Sequence, residues 1–176
     1  LLDAHKDKTE VIQRFVEEAQ IGGQLQHPGI APVYELGQFS DKRPFFAMKL
    51  VRGEALAKLM ADRESPEAER AKFIGIFEQV CQTMAYAHSR GVIHRDLKPA
   101  NLIVNTEGVA KIVDFGLARL HQEGVATGTD GGSVGASGTL HFMAPEQAAN
   151  GDGARAMPVD VYALGLILYR LLTGAW

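Results

Sequence analysis

The chain predicts an α+β fold, and three observations predict it. Segments whose apolar residues recur at helical spacing are mixed with short apolar runs bounded by polar turns, in the order helix, hairpin, helices, short strands, loop, helix. The strands are grouped rather than alternating one by one with helices, which argues against a doubly wound parallel sheet. Apolar residues make up 46% of the 176 positions and charged residues 22%, the proportions of a globular domain long enough to bury a core.

Each element has its own signal. Thr9 is a plausible N-cap with Glu10 in the first turn, and Ile12, Phe15, Ala19 and Leu25 then recur at helical spacing, giving a helix over about 10–26. His27-Pro28-Gly29 stops it. Apolar runs at 31–36 and 45–51, joined by the polar link 38–43, read as an antiparallel hairpin. Residues 54–63 read as a short helix. Ser65-Pro66-Glu67 has the form of a helix start, with a cap, a proline at the first position and an acid near the positive end of the dipole. Phe73, Phe77, Val80, Cys81, Met84 and His88 then mark one face of a long helix that Gly91 ends. Leu102–Val104 and residues 109–113 read as short strands about a turn at Glu107-Gly108. The stretch 121–138 is rich in Gly, Ser and Thr and is expected to be a mobile loop. Residues 159–172 are apolar nearly all round, the pattern of a buried helix. No internal repeat is evident.

Composition excludes several classes of function. With 18 basic and 21 acidic residues and a net charge of −3, there is no reason to expect a nucleic-acid-binding surface. The single cysteine, Cys81, rules out an internal disulfide and fits a reducing, cytoplasmic setting; it is expected to be an inert core residue. No apolar run is long enough to span a membrane, so no membrane contact is expected from this segment, and no signal-peptide core opens the chain. Both ends read as cut from a longer parent, which could carry a membrane anchor or form a dimer.

The informative stretch is His94-Arg95-Asp96-Leu97-Lys98-Pro99-Ala100-Asn101, in the loop between the long helix and the first short strand. Asp114-Phe115-Gly116 follows 18 positions after Asp96, at the end of the second short strand, and Ala144-Pro145-Glu146 follows the Gly/Ser-rich loop. An Asp five residues before an Asn on one loop sets a proton acceptor beside a metal ligand. A second Asp at a strand end supplies another hard oxygen of the kind Mg2+ prefers. Lys98, two residues from Asp96, offers a point charge for a phosphate. Phosphoryl transfer asks for these groups: held metal, a proton acceptor and positive charge over the moving oxygens.

This ordered set resembles the eukaryotic-type protein kinases, and its wording is most similar to bacterial Hanks-type serine/threonine kinases. The resemblance covers essentially the whole chain. It implies a protein-kinase-like two-lobe fold with an incomplete N-lobe (1–48), a hinge (49–52), most of the helical C-lobe (53–176) and an activation segment (114–146). It implies ATP-dependent phosphorylation of protein Ser or Thr hydroxyls, with ATP and Mg2+ as cofactors. Asp96 would be the catalytic base, Asn101 and Asp114 would hold Mg2+, and Lys98 would neutralise the transferring phosphoryl. Glu18, with Glu17 as fallback, fits the helix acid that pairs with a strand lysine. Met48 resembles the residue gating the adenine pocket, with Lys49, Leu50 and Val51 in the hinge. Thr139 would tie the substrate-binding segment to Asp96 and Lys98, and Asp160 resembles the helix acid that holds the catalytic loop. Lys98 within Asp-Leu-Lys-Pro and Gly138-Thr139 point to the serine/threonine branch.

Several residues carry a plainer reading beside the functional one. His94 is expected to pack and hydrogen-bond rather than act as acid or base. His5, His27, His88, His121 and His141 lack metal-ligand spacing and read as structural. The glycines at 131–138 belong to the activation segment rather than to a phosphate cradle. Arg95 is positioned to pair with a phosphate added in that segment at Thr127, Thr129, Ser133 or Ser137.

The departures from the family define the rival hypothesis. The chain shows neither a Gly-rich loop nor the lysine strand before Leu1, so Glu18 is expected to want a partner. Gly22 stands where relatives place a larger apolar residue in a column with Val33, His94 and Phe115, and it is expected to loosen the helix. Glu146 is expected to be a buried acid lacking its usual arginine. A pseudokinase-like scaffold that signals by contact is therefore the alternative, and the coding sequence upstream discriminates the two. A small-molecule phosphotransferase fits less well, because such proteins usually lack the Ala144-Pro145-Glu146 segment.

Overall fold

The computed structural model describes residues 9–114, 119–120, 140–149 and 157–175. The first helix, α1 (Thr9–Gln24), turns Ala19 and Ile21 inward, with Leu25 buried just beyond its end. The Phe15 ring lies 4.9 Å from that of Phe46 on the hairpin. The chain stops at His27-Pro28-Gly29 for a local reason: His27 Nδ1 accepts the Gly29 N–H at 3.0 Å, and Ile30 N–H donates to the His27 carbonyl at 2.9 Å. These bonds replace the next helical turn.

The hairpin forms as the two apolar runs and their polar link imply, with β1 (Val33–Gln38) antiparallel to β2 (Pro44–Met48) in the register Leu36↔Phe46 and Gln38↔Pro44. β2 ends at Met48, three residues short of the expected run. Gly22 faces this hairpin so closely that a Cβ there would sit 2.9 Å from Val33 Cγ2. The expected loosening is corrected at this point: the missing side chain lets α1 approach β1.

Beyond the hairpin, β3 (Glu54–Ala55) leads into α2 (Leu56–Ala61). The helix expected over 54–63 loses its first two residues because Glu54 and Ala55 pair with Val104 and Ile103. The long helix α3 (Arg70–Ser89) starts five positions after Ser65. Ser65 caps a single turn, its Oγ and its carbonyl both accepting the Ala68 N–H, and Glu69 then takes a left-handed φ of 52°. Arg63 explains why the turn does not propagate. Its guanidinium takes the carbonyls of Pro66 and Ala68, which a continuous helix would need as acceptors. The same group bonds the Leu171 carbonyl at 3.0 Å and covers the Phe73 ring at 4.3 Å.

α3 buries Phe73, Ile76, Val80, Thr83, Met84 and Ala87, a stripe rotated from the expected one, with Phe77 and Cys81 half-buried at its border. Burial, with Glu78 adding to it, pushes the Cys81 thiol above its usual pKa. After β4 (Val92–Ile93) come β5 (Leu102–Val104) and β6 (Ala110–Ile112), which pair antiparallel beside β3 in the order β3-β5-β6. β7 (Arg119–Leu120) pairs with β4. Gln79 on α3 holds the β5–β6 turn, accepting from Ala110 N–H and donating to the Gly108 carbonyl.

α4 (Pro145–Ala148) and α5 (Pro158–Thr173) complete the described fold. The core lies between α3, α5 and the β5–β6 pair, centred on Phe73, Val80, Met84, Leu102, Ile112 and Ile167. α5 buries only Val159, Asp160, Ala163, Ile167 and Leu171; Val161 is 59% exposed and Tyr169 51%. The expectation of a helix buried all round is thus corrected to one buried stripe. Among the described residues no helix is long and apolar enough to cross a membrane.

Candidate active site

The loop that carries the sequence motif has almost no ladder of its own, and distant side chains hold it. Asp160, in the first turn of α5, is 1% exposed. Its Oδ2 accepts the His94 N–H and its Oδ1 the Arg95 N–H, both at 2.8 Å. His88 Nε2, from the end of α3, meets Oδ2 at 2.8 Å as well. One buried carboxylate therefore fixes two successive peptide groups, which is what the resemblance implied for Asp160. His88, read as structural, turns out to be part of this grip.

His94 is fully buried. Its Nδ1 accepts the Asp96 N–H at 3.3 Å, which leaves Nε2–H to face the Val113 carbonyl at 3.4 Å. Burial pushes its pKa below 6.5 against the opposing pull of Asp160, the Val113 carbonyl, Asp96 and Asp114. The ring is neutral and packs between the two motif segments, as expected from the sequence.

Three of the predicted site residues meet. Lys98 Nζ donates to Asp96 Oδ2 at 2.7 Å. Asn101 Nδ2 donates to the Asp96 carbonyl at 2.9 Å and to Oδ2 at 3.3 Å. Pro99–Asn101 forms a turn of 3-10 helix, closed by Asn101 N–H on the Lys98 carbonyl, and this turn brings Asn101 back over Asp96. Asn101 is buried, while Asp96 and Lys98 are half-buried. With both amide hydrogens turned toward Asp96, the remaining ligand atom of Asn101 is its Oδ1, a hard oxygen.

Asp114 follows β6 and is exposed, with a φ of 63°. It is carried to Asn101 by main chain: β5 begins at Leu102 opposite Ile112, and Val113 N–H donates to the Asn101 carbonyl at 2.9 Å. The left-handed φ turns the chain out of the strand at the acid, a conformation that is uncommon outside glycine and gathers at functional sites. The donor set of Asp114 and Asn101 fits Mg2+, which takes carboxylate and amide oxygens.

The other predicted residues are placed by different elements. Met48 closes β2 opposite Val33 and is 40% exposed; Leu50, on the connection to β3, is 77% exposed. Lys49 N–H donates to the Pro32 carbonyl at 3.0 Å, which fixes the start of that connection. Glu17 and Glu18 lie on α1, and their side chains are outside those described. Phe115, Thr127, Thr129, Ser133, Ser137 and Thr139, with the loop 121–138, also lie outside the described residues. Glu146 is half-buried rather than buried, which corrects the expectation of a sealed acid.

Gln147 was missed entirely. Its Nε2 donates to the Arg95 carbonyl at 2.9 Å, and its Oε1 accepts the Ala144 N–H at 3.0 Å. The only local signal was a glutamine at the third position of a helix that opens on proline, where a side chain can return to the N-terminus.

Comparison with known proteins shows the family of the chain. A family model described as protein kinase domain matches residues 2–176. The chain is 35% identical over 170 residues to the serine/threonine-protein kinase PrkC of Bacillus subtilis, covering 97% of this chain and 25% of the relative. It is 34% identical to the serine/threonine-protein kinase PknD of Protochlamydia amoebophila, covering 93% of this chain and 19% of the relative. To the serine/threonine-protein kinase PknB of Mycobacterium tuberculosis it is 36% identical over 164 residues, covering 92% of this chain and 25% of the relative. The chain thus spans about a fifth to a quarter of the length of these curated relatives.

Proposed function

Because the chain belongs to the protein kinase domain family, we propose that it forms most of a catalytic domain that phosphorylates serine or threonine hydroxyls of proteins at the expense of ATP. The observation that carries this reading is the cluster at Asp96, whose carboxylate is met by Lys98 at 2.7 Å and by the Asn101 amide at 3.3 Å.

In this reading Asp96 accepts the proton of the substrate hydroxyl as its oxygen bonds to the γ-phosphorus and the bond to the β-phosphate oxygen breaks. Asn101 and Asp114 would hold Mg2+. Bound Mg-ATP supplies the phosphoryl group and the cation charge that steadies its oxygens. Lys98 orients Asp96 in the resting site and adds positive charge beside the transferring group. His94 keeps the loop in register without taking part in proton transfer. Glu18, Met48 and Leu50 belong to the nucleotide side, with Met48 and Leu50 lining the adenine end. The division into a lobe over 1–48, a connection over 49–52, a larger lobe over 53–176 and a regulatory segment over 114–146 follows from the same reading. Proteins bearing accessible Ser or Thr are the proposed partners.

The test is Mg-ATP phosphotransfer by the full-length protein, beside its Asp96→Asn and Asp114→Asn variants. Loss of transfer in both, with circular dichroism and melting temperature kept, is the expected result. Undiminished transfer in either variant overturns the assignment. Silence of the wild type with no ATP binding favours the scaffold instead.

A further inference from the structure

Resting on the kinase reading of the Asp96 loop, a further residue can be given a role. Arg95 immediately precedes Asp96 and takes a left-handed φ of 68°, a conformation a non-glycine residue keeps only when its surroundings impose it. Its N–H is bonded by Asp160 from α5. Its carbonyl is bonded by Gln147 from α4, 52 positions away in the sequence. That carbonyl belongs to the peptide group joining Arg95 to Asp96, so whatever fixes it also fixes the backbone from which the Asp96 side chain projects.

The other end of the same amide is used too. Gln147 Oε1 accepts the Ala144 N–H, so the side chain cannot turn without breaking a bond at each end. The pair of bonds also defines which end of the amide is nitrogen: only the NH2 can donate to a carbonyl, and only the oxygen can accept from an N–H.

We propose that Gln147 is a positioning residue that locks the Arg95–Asp96 peptide to the start of α4 and thereby sets the attitude of the Asp96 carboxylate. It acts through Asp96 and touches no substrate. The segment that begins at Ala144-Pro145-Glu146 and the loop that carries the proton acceptor are thereby joined by one side chain.

Gln147→Glu separates this role from simple support of α4. The introduced carboxylate still accepts the Ala144 N–H but cannot donate to the Arg95 carbonyl, and it sets negative charge against that oxygen. In the full-length protein, kcat is expected to fall by about 10- to 100-fold, the cost of a small misplacement of a reacting group. KM for ATP stays within about twofold and the melting temperature within about 2 °C. The ratio of variant to wild-type kcat should rise as pH falls toward 5, because a protonated carboxyl regains an O–H donor for the Arg95 carbonyl. Gln147→Met, which keeps the length and removes both bonds, should lose kcat to a similar extent without the pH-dependent recovery; it also carries the test if Gln147→Glu fails to fold. An unchanged kcat in either folded variant overturns the proposal, as does a kcat loss matched by a fall in melting temperature with no pH-dependent recovery. If the wild type transfers phosphate and loses transfer in Asp96→Asn while Gln147→Glu is unaffected, only this inference fails. A wild type without transfer refutes the kinase reading and the inference together.

Discussion

Replacing Asp160 with asparagine tests whether one buried carboxylate holds the loop that bears Asp96. The carboxylate takes three hydrogen bonds at 2.8 Å, from His94 N–H, Arg95 N–H and His88 Nε2. Asparagine offers one acceptor oxygen. The best it can do is place that oxygen where Oδ2 was, which keeps His94 and His88 and turns the amide NH2 against the Arg95 N–H. One charge-assisted bond is lost and two donors face each other in a site that is 1% exposed. A bond to a charged group is worth about 1.5–3 kcal/mol, and a buried donor left unmet costs about 1–3 kcal/mol. The variant should thus loosen the loop by about 3 kcal/mol, near the lower end of what breaking a buried pair costs, roughly 3–5 kcal/mol. Hydrogen exchange on the peptide spanning 92–101 reads this locally. About 3 kcal/mol corresponds to roughly a hundredfold faster exchange at the Arg95 amide. Asp62→Asn, which removes an exposed partner of Lys58, is the control and should leave that peptide unchanged. Exchange at Arg95 within about threefold of wild type would refute the argument that Asp160 anchors the loop.

Three further outcomes follow from packing and charge. A Cβ at Gly29 would lie 2.0 Å from Thr83 Oγ1, which is fixed by its own bond to the Gln79 carbonyl. Gly29→Ala should therefore cost about 2–3 kcal/mol in urea unfolding, and the cost should shrink by at least about 1 kcal/mol in a Thr83→Ala background; strict additivity would count against the contact. Arg63→Ala removes three carbonyl partners and the cover of Phe73, and should destabilise by about 2–3 kcal/mol, with Arg63→Lys recovering less than half because an ammonium lacks the fork. Full stability in Arg63→Lys would show that charge alone suffices. His94 is held neutral by burial, so below about pH 6.5 the unfolded chain takes up a proton that the folded chain refuses. Stability should accordingly fall as pH drops below about 6.5, by up to about 1.4 kcal/mol per pH unit from this residue, and His94→Gln should flatten the slope. An equal slope in His94→Gln would place the acid sensitivity elsewhere.

Where a residue's role is set by its near neighbours, the sequence was a good guide. α1, the β1–β2 hairpin and the β5–β6 pair lie close to where apolar periodicity and turn residues put them. Asp96, Lys98 and Asn101 meet because a five-residue spacing closes through one tight turn. The misreadings share a physical cause, which is that partners far along the chain decided the outcome. Ser65-Pro66 has the chemistry of a helix cap, yet Arg63 captures the carbonyls that would have continued the helix. Glu54 and Ala55 leave their helix for a strand 50 residues away. His88 and Gln147 carry no local mark of importance, because their partners stand 72 and 52 positions off. Composition alone made α5 look sealed all round, whereas burial depends on which faces the rest of the chain covers.

The parallel bridge between Ile30 and Ile112 has a consequence for how the two acids answer to the rest of the molecule. Ile112 N–H donates to the Gly29 carbonyl at 2.7 Å, so the turn after α1 is bolted to β6. From Ile112 to Asp114 is two residues, about 7 Å of extended chain. A displacement of α1 therefore reaches Asp114 through one hydrogen bond and a short rod of strand, whose middle residue, Val113, also bonds the Asn101 carbonyl. Asp96 is steered instead from α4 and α5. Each acid thus has its own tether, like two jaws on separate levers, but the jaws are linked where Val113 N–H donates to the Asn101 carbonyl and Asn101 Nδ2 donates to Asp96, so a pull on one lever is passed on to the other jaw.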